Sequence, residues 1–258
     1  MEPFDLPILF WILTGSFLVG LSKGGVLGVS NITVAVFALI FPPKMSVGLV
    51  LMLLMIGDWA AFYFFRRHAV WKYLLPIIPW TIVGVLSGWL LLDRLDEEIV
   101  GRLIGFCLLI LVSLHIARSY FLKISGITDL LPHTWWFIGI TGLLAGFTST
   151  VANSAAPVMM LFFLAVALPK MEFMGTGAWF FLFLNLFKFP FLWSIEVVTP
   201  EVLWFGLKII PVVLAGAVMG RFILAHIPQK GFELFALAIT VLASLQLVLK
   251  PAFPTLAF

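Results

Sequence analysis

Polar side chains able to do chemistry are few in this sequence, and most of them gather in two short stretches. The first, SKGGVLGVSN at 22–31, contributes Ser22, Lys23, Gly24, Gly25, Ser30 and Asn31. The second, TSTVANSAAP at 148–157, contributes Thr148, Ser149, Thr150, Asn153 and Ser154. Hydroxyls and amides are short donors that match the oxygens of a small oxyanion and still let it go. Gly24, Gly25 and Gly28 disfavour continuous helix around Lys23, and Pro157 fits only near a helix start or at a kink. A helix that restarts after such a break presents unpaired N–H groups and a partial positive charge, both of which favour an anion. The competing use of Ser, Thr and Gly is close helix packing. Asn31 and Asn153 stand out, because an amide deep in an apolar medium needs partners at both of its ends.

Three isolated charges carry two readings each. Lys23 either counters the anion's charge or snorkels to the cytoplasmic surface. Asp58, alone in an apolar run, is either a proton carrier or half of a structural ion pair. Lys188, in NLFKFP at 185–190, is either a ligand or gate, or an anchor near the outer face. No nucleophile has a base at a useful spacing, so no catalytic residue and no enzyme activity are expected. His115 has no second His or Cys at ligand spacing, so no metal and no cofactor are expected either. A lone cysteine, Cys107, sits in an apolar run where packing is its usual role.

The elements that must position these residues follow from composition. Of 258 residues, 63% are hydrophobic and 10% charged, against roughly 25% charged in a soluble domain. The mean hydropathy of +1.18 places the chain in a lipid bilayer, with no nucleic-acid partner implied by its net charge of +3. Apolar runs fall at about 7–21, 24–41, 46–65, 73–92, 99–117, 134–148, 154–168, 172–192, 201–225 and 231–249. A crossing takes roughly 20 residues of helix, so about ten fit. The second, sixth and seventh runs carry small or polar residues near their starts and read as broken or half-helices. Alternating β patterning is absent, and the fold class is an all-α polytopic membrane protein. Glu2 and Asp5 replace the basic start of a secretory signal, so the first run is expected to be retained.

Sliding the chain on itself exposes a repeat. Gly20 falls on Gly146, and Pro43-Lys44-Met45 on Pro169-Lys170-Met171, at an offset of 126. Pro79, Gly84 and Gly88 fall on Pro211, Gly216 and Gly220 at an offset of 132. The loop after the third run is basic in the first half (Arg66, Arg67, His68, Lys72) and acidic in the second (Glu196, Glu201), and the following loop reverses. Cytoplasmic loops gather Lys and Arg, so exchanged signs put equivalent loops on opposite sides. The expectation is an inverted-topology repeat of about 5+5 segments in one integral membrane domain, residues 1–125 and 126–258, with both termini outside.

The order of features in each half resembles the TauE/SafE family of membrane permeases. The resemblance rests on Gly20–Gly28, PPKM at 42–45, FFRRHAVWKYLLP at 64–76 and GVLSGWLLLDRLDEE at 84–98, and it covers nearly the whole chain. Both break stretches are more polar than the family's usual glycine run. Membership implies transport of small sulfur-containing anions, usually outward, across a bacterial-type inner membrane. Sulfite is the leading candidate, with an organosulfonate or thiosulfate next, and a homodimer is left open. The mechanism expected is alternating access around a midplane site where the breaks meet. An anion channel is the alternative from another class, although runs such as WFFLFLNLF at 179–187 leave it little polar lining.

Overall fold

The structure is a computed structural model that describes residues 6–41, 43–91, 134–153 and 155–249. The fifth expected segment, with Cys107 and His115, lies outside the described residues, as do both termini and Ser154. Among the described residues the chain forms α1 (Leu6–Gly24), α2 (Ser30–Ile40), α3 (Pro43–Phe65), α4 (Trp71–Leu91), α5 (Trp135–Ala152), α6 (Ala156–Ala165), α7 (Lys170–Ser194), α8 (Pro200–His226) and α9 (Gln229–Leu249), with a 3₁₀ turn at Arg66–His68 and no strand. The all-helical expectation holds.

Lengths sort these helices by what they can do in a bilayer. α3, α4, α7 and α8 have 23, 21, 25 and 27 residues and are long and apolar enough to cross it. α2 and α6, with 11 and 10 residues, are half-helices, as read for the second and seventh runs. The sixth run departs from its reading as a broken segment, because α5 continues unbroken for 18 residues. Its glycines serve packing instead: a Cβ on Gly142 would sit 2.8 Å from the Ile77 carbonyl oxygen of α4. Large apolar side chains stay exposed on these helices, among them Leu75, Leu90, Leu207 and Phe222, as a lipid-facing surface requires. Trp11, Trp71, Trp135, Trp136, Trp193 and Trp204 are exposed near helix ends.

The chain divides into two compact units, one of residues up to Val70 with Met171–Pro228, the other chiefly of Trp71–Lys170 with α9. The first therefore holds α1, α2, α3, α7 and α8, and the second α4, α5, α6 and α9. Inside the first, α1 packs along α8, with α2 and α3 against α1. A Cβ on Gly20 would run into the Val213 carbonyl, and one on Gly216 into that of Phe17. Inside the second, α4 packs along α5 in the same way. A Cβ on Gly146 would run into the Thr81 carbonyl, and one on Gly84 into that of Leu143. Backbones approach this closely only where side chains are small. The four glycines and their carbonyl partners correspond under the same two offsets that relate the halves of the sequence.

Candidate functional site

In the first unit the chain breaks where the glycines are. α1 ends at Gly24, and Gly25 and Gly28 take φ of 136° and 79°, a region costly for residues with a Cβ. The turn closes as the N–H of Gly25 donates to Ser22 O at 3.2 Å and that of Val26 to Leu21 O at 3.1 Å. α2 then starts at Ser30 without a side-chain cap on its first turn. Two of the anticipated donors meet across the break, since the Ser22 hydroxyl donates to the Ser30 hydroxyl at 3.2 Å and both are buried. Thr33 ties α2 to α1 by donating to Gly15 O at 2.8 Å. Asn31 lies in the first turn of α2, and its side chain falls outside the description.

Lys23 occupies the last turn of α1, where a cation complements the exposed carbonyls. Its ammonium is held inward rather than at a surface. Nζ lies 2.5 Å from Asp58 Oδ1 and 4.4 Å from the centroid of the Phe181 ring. Gly57 makes room for its stem, since a Cβ there would come within 2.8 Å of Lys23 Cγ. Asp58, on α3, has no exposed surface, and its Oδ2 accepts from Asn185 Nδ2 at 2.5 Å. Lys188 follows Asn185 by three residues on α7 and is fully buried. Lys23, in contrast, keeps 13% of its side chain exposed and is held by its ion pair with Asp58.

The second unit carries the other break. α5 ends in Asn153, whose left-handed backbone (φ 49°, ψ 31°) caps the helix as its N–H donates to Ser149 O at 3.1 Å. α6 starts at Ala156 with Pro157 in its first turn, where the missing N–H costs nothing. Thr148, Ser149 and Thr150 are buried. The Thr148 hydroxyl donates to Ala145 O at 3.3 Å, and that of Thr150 to Gly146 O at 3.0 Å and towards Val85 O of α4 at 3.5 Å. Those two hydroxyls thus spend their protons on the helix and the α4–α5 crossing, and each would have to turn to donate to an anion.

The structure brings Ser22 to Ser30, and Lys23 and Asn185 to Asp58. Thr148, Ser149, Thr150 and Asn153 belong to the other unit. One residue at the cluster, Asn185, was missed by sequence reasoning. Its signal was present: an amide in WFFLFLNLF, on the helix face that also carries Lys188.

The arrangement places a buried hydroxyl pair at a helix restart, beside the Lys23 ammonium and its Asp58 counterion, a chemistry suited to a small anion. Comparison with curated proteins gives no match, and neither does comparison with solved structures. A family model described as sulfite exporter TauE/SafE matches residues 12–247, from α1 into α9 and across both breaks. The chain belongs to the TauE/SafE sulfite exporter family and is a multi-pass membrane protein of a family that transports anionic sulfur compounds.

Proposed function

We propose that the protein is a secondary transporter that exports a small sulfur oxyanion, sulfite first and a sulfonate or thiosulfate next, by alternating access across a bacterial-type inner membrane. In this reading both helix breaks contribute to one midplane site. Ser22, Lys23, Gly24, Gly25, Ser30 and Asn31 act on one side, and Thr148, Ser149, Thr150, Asn153 and Ser154 on the other, with Asp58 and Lys188 as the gating or coupling charges.

The observation that carries this reading is the break between α1 and α2, where the buried Ser22–Ser30 pair, the uncapped first turn of α2 and the Lys23 ammonium lie within a few residues of one another. Irregular backbone at membrane depth persists only where protein or a polar cavity satisfies it. The inverted repeat is supported by the two helix crossings, in which Gly20 and Gly146, and Gly216 and Gly84, meet equivalent carbonyls. Exchange of loop charge between the halves supports opposite orientations, with both termini outside.

Purified protein in liposomes tests the reading. Sulfite flux is expected to saturate and to show counterflow when sulfite is placed on the trans side. Asn153→Ala is expected to lower the flux while leaving the protein extractable and folded. Ohmic current without counterflow would overturn the carrier in favour of a channel, and unchanged kinetics in Asn153→Ala would remove that residue from the site.

A further inference from the structure

Three helices of the first unit leave a groove at one end of the bundle. α3 and α8 finish there, α7 begins there, and between them lies a cavity of about 400 Å³. Its walls include Phe64 of α3, Met171 of α7, and Val218, Phe222 and Leu224 of α8, and the charged side chain in its lining is Arg221. Val218 and Phe222 are exposed, so the groove opens on the apolar flank of α8. The Arg221 guanidinium lies over Phe64 and Phe65, 5.6 and 5.0 Å from their ring centroids. A ring face supplies no oxygen to its N–H donors, and among the described residues no carboxylate pairs with it. The surrounding elements leave this end basic. Arg66, Arg67 and His68 follow α3 and are exposed, and His226 closes α8 with its ring on Phe222 O. Against them stands Glu172 in the first turn of α7, while Lys23 at the end of α1 is already paired with Asp58.

We propose that this groove binds an anionic phospholipid, with the lipid phosphodiester on Arg221 and one acyl chain along Val218, Phe222 and Phe64. The site goes beyond the transporter reading and does not depend on it. A trough of apolar side chains with one cation at its edge matches an amphiphile whose head is an anion. Arginine suits that head, because its planar donors grip two phosphate oxygens at once and its charge persists beside apolar surface. The basic loop after α3 marks the membrane side on which pockets between helices hold anionic headgroups. A free oxyanion reaches the guanidinium but leaves the trough unfilled. A second copy is opposed by charge, because a two-fold axis along the membrane normal sets identical basic ends face to face. A lipid seated here bears on the helix that backs the α1–α2 break, since a Cβ on Gly25 would come within 2.7 Å of Leu224 Cβ.

Lipid titration of the purified full chain in a neutral detergent, read by native mass spectrometry and by melting curves, tests the site. Phosphatidylglycerol is expected to bind about tenfold or more tightly than phosphatidylcholine and to raise the melting temperature. Glycerol phosphate, the head without its chains, is expected to leave that temperature unchanged. Arg221→Gln is expected to erase the preference between the two lipids. Val218→Trp fills the trough from an exposed position and keeps the guanidinium, and it is expected to weaken phosphatidylglycerol by about tenfold or more. Equal affinity for both lipids in the wild type overturns the proposal, as does a preference that survives in folded Arg221→Gln. Glycerol phosphate that stabilises as strongly as phosphatidylglycerol makes Arg221 a free-anion site and overturns it too. Val218→Trp that splits a dimer at unchanged lipid affinity gives the groove to a second copy instead. Should Arg221→Gln fail to fold, Val218→Trp decides, weaker phosphatidylglycerol binding supporting the site and unchanged binding overturning it.

Discussion

Asn185 decides how Asp58 is held. Its amide donates to the carboxylate oxygen that Lys23 does not take, in a setting where neither group reaches water. Asn185→Leu, similar in volume, leaves that oxygen buried without its donor, and the expected cost is about 2–3 kcal/mol. Thermal unfolding in detergent checks this, and an unchanged midpoint would show that another donor takes over. Lys23, Asp58 and Lys188 stood out in the sequence because ionisable residues in apolar runs are rare and rarely idle. The meeting of Lys23, Asp58 and Asn185 did not, since these side chains come from three helices far apart in the chain and no local spacing records it. Asn185 was hidden among phenylalanines for the same reason, as its role exists only once α3 is beside it.

Helix ends were legible wherever one residue type forces the backbone. Gly25 and Gly28 mark the end of α1 because their φ angles exclude most other residues, and Pro157 marks the start of α6. The reading failed for the run that became α5, where Gly139, Gly142 and Gly146 answer to the neighbouring helix α4 and not to their own backbone. Glycine composition alone does not separate a break from a contact face. The equivalent crossings make a matched expectation: Gly20→Leu and Gly146→Leu each force a side chain into a carbonyl of the partner helix, at a cost of about 3 kcal/mol or more. Size-exclusion profiles and melting curves are expected to deteriorate alike in the two variants. A variant that tolerates leucine would show that its crossing relaxes and that the two are not equivalent.

For the whole molecule, the exchange of loop charges was visible in the sequence, whereas the way helices are shared was not. Each compact unit draws on both halves, α1 of the first half packing along α8 of the second, and α5 of the second along α4 of the first. Single cysteines test the inverted arrangement in a Cys107→Ser background. Arg67→Cys is expected to react with an impermeant thiol reagent from the cytoplasmic side and Glu196→Cys from the outside; labelling from one common side would remove the inversion. The sharing of helices also bears on biogenesis. The groove lined by Gly20 and Gly24 enters the bilayer early and receives its permanent neighbour only when α8 leaves the ribosome. Until then lipid or the insertion machinery must cover it, so the order of synthesis holds the first half immature until the second arrives.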